Sequence, residues 1–179
     1  MESELRRMNF GCGPVQPEGW HNVDILDLGQ EYVNDILEGL PFPDDHFDYT
    51  IANHSLPGIS NRWVLRALEE LHRVAKPEGV VRILVPDIHK AFTKWLEGDA
   101  DYFPNMDGSI DERFCAYLTW FSGNVSVFTP IYLKELLQRA GWSEVTQVEF
   151  RTTSHPEYPG IVELDSRERE DVIVEAVKA

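Results

Sequence analysis

A chain of 179 residues is sized for one domain, and at that length a sizeable core is buried without staples. Apolar residues at 42% and charged residues at 26% are ordinary for a globular protein. The balance of 16 Lys and Arg against 31 Asp and Glu gives a formal net charge of −15, which opposes nucleic acid or an anionic membrane surface as partner and leaves small neutral or cationic ligands open.

Met8-Asn9-Phe10-Gly11-Cys12-Gly13 reads as a short strand running into a glycine turn. His21–Ile25 and Tyr32–Ile36 are the next two strands, and Pro41, Pro43, Asp44 and Asp45 mark a loop before a fourth at Phe47–Ala52. Val64, Ala67, Leu68, Leu71, Val74 and Ala75 recur at helical spacing after Asn61, a candidate N-cap. On the outer face Arg66–Glu70 and Glu69–Arg73 stand four apart, where they pair. Lys76-Pro77-Glu78-Gly79 stops that helix and turns the chain into Val80–Val85, an apolar strand broken only by Arg82 and suited to burial on both faces. A second helix starts at Asp87, lines one face with Ile88, Ala91, Phe92, Trp95 and Leu96, and ends at Gly98.

Asp99 to Gly108 is polar and irregular, and Ser109-Ile110-Asp111-Glu112 matches a capping box ahead of Phe114, Cys115, Tyr117, Leu118 and Phe121. Thr129-Pro130 opens a further helix carrying Leu133, Leu136, Leu137 and Ala140, with Gly141 at its stop. Strands near Glu144–Thr152 and Asp171–Val177 finish the chain around a loop holding Pro156, Pro159 and Gly160. Strands alternating with helices imply an α/β fold with a mostly parallel sheet, and the tail implies an antiparallel pair at one edge. The whole chain, 1–179, is expected to form one domain with a helical insertion at about 99–128.

Ligands in such sheets bind beyond the carboxyl ends of the strands, where strand order switches. Gly11 and Gly13 stand at such an end, but the third position of a dinucleotide fingerprint is Gln16, and Pro14 and Pro17 shorten any helix that follows, so pyrophosphate docking is disfavoured. Asp24 and Asp35 end the next two strands. One carboxylate there accepts from a ribose diol and the other from an adenine amino group, which together describe an adenosine pocket without phosphates.

These residues resemble the class I S-adenosylmethionine-dependent methyltransferases, in particular small bacterial and phage-type proteins of the methyltransferase-11 group. The resemblance rests on Met8 to Gly13, Gly19-Trp20-His21-Asn22-Val23-Asp24, Leu40-Pro41-Phe42-Pro43-Asp44-Asp45-His46-Phe47-Asp48, His54-Ser55-Leu56, Leu71 to Gly79 and Val174 to Lys178, in order along nearly the whole chain. It implies a Rossmann-like seven-stranded sheet with an antiparallel last strand and helices on both faces. It also implies roles: Phe10, Gly11, Cys12 and Gly13 around the methionine part of S-adenosylmethionine, Asp24 at the ribose, Asp35 and Ile36 at adenine, Asn53 and His54 beside the donor methyl, with Ile25 also among the cofactor-binding residues. Three departures stand out. Pro14 replaces a usual glycine, Leu56-Pro57-Gly58 replaces Leu-Glu-His, and the first strand begins almost at the N-terminus.

His54 is the expected general base, with Asp87 and His89 as alternatives. Trp95, Tyr102, Phe103, Phe114, Tyr117, Trp120, Phe121 and Phe128 are mostly core, a minority lining an acceptor pocket. The expected activity is methyl transfer to a small-molecule or sugar acceptor with S-adenosylhomocysteine as product; a catalytically silent cofactor-binding module and an NAD-dependent enzyme are the other readings. No metal is assigned, and oligomeric state is not legible. Cys12 and Cys115 make no disulfide framework, the charged start Met1-Glu2-Ser3-Glu4-Leu5-Arg6-Arg7 is no secretory signal, and no apolar run reaches the ~18–20 residues of a membrane span. A cytoplasmic location follows.

Overall fold

A computed structural model of the chain describes residues 5–103, 107–119 and 123–179. Seven strands form one sheet: β1 Arg7–Phe10, β2 His21–Asp24, β3 Tyr32–Val33, β4 Phe47–Asn53, β5 Ala75–Pro86, β6 Trp142–Val148 and β7 Asp171–Lys178. Their order is β3-β2-β1-β4-β5-β7-β6. β1 to β5 run parallel, and β7 lies antiparallel to both β5 and β6. The chain builds outward from β1 to β3 and then returns to β4 on the other side of β1, so the crevice sits at the carboxyl ends of β1 and β4.

Alternation along the strands sorts the core onto two faces. Met8, Val23, Ala52, Val81, Ile83, Val172 and Val174 meet α1 (Asn61–Val74) and α4 (Pro130–Arg139) through Val64, Leu68, Leu71, Leu133 and Leu137. Each such aliphatic side chain contributes about 1.5–3 kcal/mol when fully buried. On the opposite face Tyr49, Ile51, Val80, Leu84 and Ile173 pack against Trp20, Ile161, Phe150, Tyr158 and Leu164. That face is roofed by the connection between β6 and β7, which has neither helix nor strand. The connections β1–β2 and β2–β3 also lack helices, although parallel strands usually need one to cross over. α2 (Ile88–Glu97) and α3 (Ile110–Thr119) build a satellite core with Ala91, Tyr102, Phe103 and Tyr117.

Arg82 explains how a helix-free roof stays down. It lies mid-strand in β5, fully buried, and faces the roof. Its Nε and Nη2 donate to Asp165 at 2.8 and 2.5 Å, and its Nη1 donates to Glu175 at 2.5 Å and to the Thr152 carbonyl at 3.0 Å. Asp165 also accepts from the Arg151 amide, and Glu175 from Thr153 Oγ1 and the Ser154 amide. A charge inside a sheet is tolerated only when paired and hydrogen-bonded in this way.

Several element boundaries differ from the sequence reading. The third strand stops at Val33, because Asp35 caps a 3-10 helix at Ile36–Glu38. Ser60, not Asn61, is the N-cap of α1, and it caps without a side-chain bond. β5 already begins at Ala75, which pairs with Phe47, so the Lys76–Gly79 turn is a bulge inside the strand with Glu78 at φ 65°. β6 starts at Trp142, directly after Gly141 turns the chain at φ 98°. Glu70 bonds Arg73 three residues on, and Arg73 reaches Asp44 and the Phe42 and Leu40 carbonyls, clamping the Pro41–Asp45 loop onto α1. On α2 only Ala91 is buried, with Phe92 48% and Leu96 67% exposed, because this helix leans on α3 through a narrow contact. In the capping box Ser109 Oγ accepts from the Glu112 amide at 3.2 Å. Trp120, Phe121 and Met1 to Glu4 lie outside the described residues.

Candidate functional site

At the end of β1 the chain leaves the sheet through two left-handed glycines, Gly11 at φ 67° and Gly13 at φ 53°. Gly11 also needs its missing side chain: a Cβ there would lie 2.2 Å from Ser55 Cβ, just past β4. The turn is tied to β2. The Gly11 and Cys12 amides donate to the Val23 carbonyl at 2.8 and 3.1 Å, and the Gly13 amide donates to Asp24 Oδ2 at 2.9 Å. Asn9 Nδ2 reaches over to the Val15 carbonyl at 2.8 Å. Pro14 therefore falls in an ordinary turn, with no following helix whose amide ladder it would break. That path also removes the helix N-terminus a dinucleotide pyrophosphate requires.

Two clefts open at this place. The first, about 350 Å³, is lined by Phe10, Gly11, Asp24, Ile25, Leu26, Asn34, Asp35, Ile36, His54, Ser55, Gly58 and Ile59. Asp24 spends one acceptor position on each oxygen, Oδ2 on Gly13 and Oδ1 on the Leu26 amide at 2.9 Å, and a carboxylate has further lone pairs to offer. Asp35 Oδ1 accepts from the Leu37 amide at 2.9 Å. Two buried polar atoms on this wall, Asn34 Oδ1 and Ser55 Oγ, have no hydrogen-bond partner within the protein. An acid for a diol, apolar Ile25, Ile36 and Ile59 for a flat base, and unspent acceptors beside them fit an adenosine group.

The second cleft, about 490 Å³, runs between the glycine turn and the roof and is lined by Asn9, Cys12, Gly13, Asn53, His54, Glu163 to Arg167 and their neighbours. Gly11 and His54 line both clefts. The ten residues expected at the cofactor thus divide: Phe10, Asp24, Ile25, Asp35 and Ile36 in the first cleft, Cys12, Gly13 and Asn53 in the second, Gly11 and His54 at the junction. The Asn53 amide is engaged with the roof, donating to the Leu164 carbonyl at 2.5 Å and accepting from Ser166 Oγ at 3.2 Å. Asp87 and His89 line neither cleft; Asp87 caps α2 by accepting the His89 amide at 2.9 Å. The described aromatics between Trp95 and Phe128 also stay out of both, with Tyr102, Phe103 and Tyr117 forming the satellite core.

His54 has left-handed backbone, φ 55°, and its amide donates to the Leu84 carbonyl at 2.9 Å. Its Nε2 stands 2.9 and 3.0 Å from the two oxygens of Asp171, the first residue of β7. Burial pushes the Asp171 carboxyl up, against the pull of His54. Burial likewise raises Glu170 beside it. Burial, with the Asp24 charge adding to it, pushes the Cys12 thiol to about 11, whereas Cys115 is exposed on α3. Alkylation at pH 8 with iodoacetamide is therefore expected to label Cys115 and spare Cys12, since the thiolate is the nucleophile. Peptide mass mapping checks this, and equal labelling would contradict the buried, protonated Cys12.

Residues 18–83 match the family model described as a methyltransferase domain, a span covering β2 to most of β5. The fold is that of the class I S-adenosylmethionine-dependent methyltransferases, and residues 18–83 are similar in sequence to that group. A demethylmenaquinone methyltransferase of Lysinibacillus sphaericus is 30% identical over 139 residues, 69% of this chain and 57% of that protein. The chain spans about half the length of the curated relatives it matches. Among solved structures, a Thermotoga maritima S-adenosylmethionine-dependent methyltransferase, described as a possible histamine N-methyltransferase, superposes at a TM-score of 0.64 with 19% identity, over 98% of this chain and 83% of that one. A Haemonchus contortus phosphoethanolamine N-methyltransferase bound to S-adenosylmethionine gives a TM-score of 0.60 at 15% identity, over 99% of this chain and 49% of that one. In this chain the sheet face opposite α1 and α4 is covered by the β6–β7 roof.

That roof hid the rest of the site from sequence reading. Asn34, Ser55 and Ile59 sit beside predicted residues and are found by extending the strand-end logic one or two positions. Asp171 and Arg167 lie more than a hundred residues from His54, and only the antiparallel return of β7 along β5 brings them there.

Proposed function

We propose that this protein transfers the methyl group of S-adenosylmethionine to a small-molecule or sugar acceptor and releases S-adenosylhomocysteine. The reading rests on one observation above all: a cleft with the polarity of adenosine meets a second, roofed cleft at Gly11 and His54. When bound, the sulfonium supplies an electrophilic methyl and a good leaving group. Asp24 accepts from the ribose hydroxyls, Asp35 and Asn34 from the adenine amino group, and Ile25 and Ile36 wall the base; Phe10, expected at the methionine portion, lines this first cleft instead. The glycine turn with Cys12 and Gly13 lies along the methionine portion, and Asn53 and His54 face the methyl. Holding nucleophile and methyl in line is worth roughly 7–11 kcal/mol. The acceptor enters by the second cleft, and the demethylmenaquinone relatives together with the net charge of −15 support a small molecule over a nucleic acid. The chain acts as one domain with residues 99–128 as its insertion, and the free cysteines suit a cytoplasmic setting. Among the described residues, no helix is long and apolar enough to cross a membrane.

Calorimetry with S-adenosylmethionine, S-adenosylhomocysteine and NAD tests the reading: the two sulfur nucleotides are expected to bind and NAD to fail. Asp24→Ala is expected to weaken S-adenosylhomocysteine by about 10- to 100-fold, the worth of one charge-assisted pair, with the fold retained by circular dichroism. Unchanged affinity would remove Asp24 from the ribose. Binding without release of S-adenosylhomocysteine across hydroquinone, amine and sugar acceptors would make the chain a silent binding module.

A further inference from the structure

Resting on the methyl-transfer reading, we infer that Asp171 is a positioning residue that makes His54 Nδ1 the proton acceptor at the junction of the two clefts. His54 is approached at its two nitrogens by groups of opposite character. The Asp171 carboxylate, an acceptor only, lies against Nε2 at 2.9 and 3.0 Å. The Arg167 guanidinium, a donor only, lies 3.5 Å from Nδ1. Both contacts select one tautomer, with the proton on Nε2 and the lone pair on Nδ1. The Nδ1 contact is long for a hydrogen bond, so an acceptor hydroxyl or amine entering the second cleft displaces it at little cost.

The pair is built into the fold. Asp171 opens β7 and pairs with Pro86 at the end of β5, its amide donates to the Arg167 carbonyl at 3.2 Å, and Lys90 of α2 donates to its carbonyl. Its side chain has no solvent exposure. The charged and titratable groups around the pair are Arg167 and Glu170 from the roof, Lys90 and Asp87 from α2 and its cap, and Tyr117 and Tyr102 from the satellite core. His54 in turn holds a left-handed backbone that a non-glycine residue keeps only when its surroundings enforce it.

The step this arrangement serves is balanced. The acceptor's heteroatom forms its bond to the methyl carbon while the carbon–sulfur bond breaks, its electron pair staying on sulfur as a neutral thioether. The acceptor's proton passes to His54 Nδ1, and the Asp171 carboxylate stabilises the imidazolium until water removes the proton. One positive charge enters on sulfur and one leaves on histidine.

Long-range proton–nitrogen correlation on histidine-labelled protein saturated with S-adenosylhomocysteine, at a pH where the ring is neutral, reads the tautomer directly; His54→Gln assigns the signals. The wild type is expected as the Nε2–H form. Asp171→Asn combined with Arg167→Ala, which removes both selecting contacts and lets the Asn amide donate to Nε2, is expected to raise the Nδ1–H population, while Asp171→Ala alone leaves Arg167 selecting Nε2–H. With a hydroquinone acceptor the same variants are expected to lose about 10²- to 10⁴-fold in kcat, the range of general base catalysis, at little change in KM, with Asp171→Glu recovering part. An Nδ1–H ring in the wild type, or an unchanged tautomer in the Asp171→Asn, Arg167→Ala double variant, overturns the inference, and the wild-type measurement can do so even if the variants fail to fold. Absence of S-adenosylhomocysteine binding in the wild type instead overturns the methyl-transfer reading, so the two failures are told apart.

Discussion

Arg82→Ala is expected to lower stability by about 3–5 kcal/mol, the cost of removing one partner from a buried ion pair. The size follows from what is left behind. Asp165 and Glu175 have side chains at 0% and 1% exposure, and both face the vacated site. Neither can reach water without lifting the roof, so each either stays as an uncompensated charge or takes up a proton. Their remaining partners are the Arg151 and Ser154 amides and Thr153 Oγ1, all belonging to the roof itself. The damage therefore spreads along residues 149–170 rather than into the α1–α4 face. Urea unfolding measures the loss. Hydrogen exchange is expected to show the roof opening ahead of the rest of the sheet. Since Glu163 to Arg167 line the second cleft, turnover is expected to fall further than S-adenosylhomocysteine affinity, which depends on the first. A loss below about 1 kcal/mol would mean that Ile161, Tyr158 and Leu164 hold the roof by apolar contact alone.

The apolar context of Arg82 was visible in sequence, as a single cation inside Val80–Val85, but its partners were not. Local pattern reports what a strand residue is. It does not report which distant loop folds over it, and the roof carries no periodicity that would mark it as a layer. The same division runs through the site. Gly11, Asp24, Asp35 and His54 were legible because strand ends and glycine turns are short-range features and the sheet's order puts them together. Asp171 read as the first residue of a strand and nothing more; its carboxylate meets His54 only because β7 runs antiparallel beside β5. The expected apolar face of α2 holds for Ile88, Ala91 and Trp95 and not for Phe92 and Leu96, for a related reason. Helical spacing shows that Phe92 and Leu96 share a side, not how fully another element covers it; the satellite core takes in Ile88, Ala91 and Trp95, and Phe92 touches only its edge at Phe114.

Gly11→Ala is expected to abolish measurable S-adenosylhomocysteine binding, a loss of at least about 100-fold, or roughly 3 kcal/mol. Two costs coincide at this position. A left-handed backbone at φ 67° disfavours any Cβ by about 1–2 kcal/mol. The added carbon also lands 2.2 Å from Ser55 Cβ and 3.2 Å from Ser55 Cα, so relief requires moving the backbone that follows β4, not swinging a flexible side chain. That backbone carries His54 and Ser55 on the wall shared by both clefts. Gly13→Ala separates the two costs. Its φ of 53° imposes the same backbone penalty, but nothing lies within 4 Å of the added carbon, so only a modest loss of stability is expected and the clefts keep their shape. Ser55→Gly in the Gly11→Ala background removes the colliding Cβ and is expected to restore part of the affinity, a positive coupling between adjacent sites. Calorimetry with S-adenosylhomocysteine and thermal melts on the three variants give the comparison. If Gly11→Ala and Gly13→Ala weaken binding equally, or Ser55→Gly restores nothing, then contact between the first turn and the end of β4 does not shape the cofactor cleft.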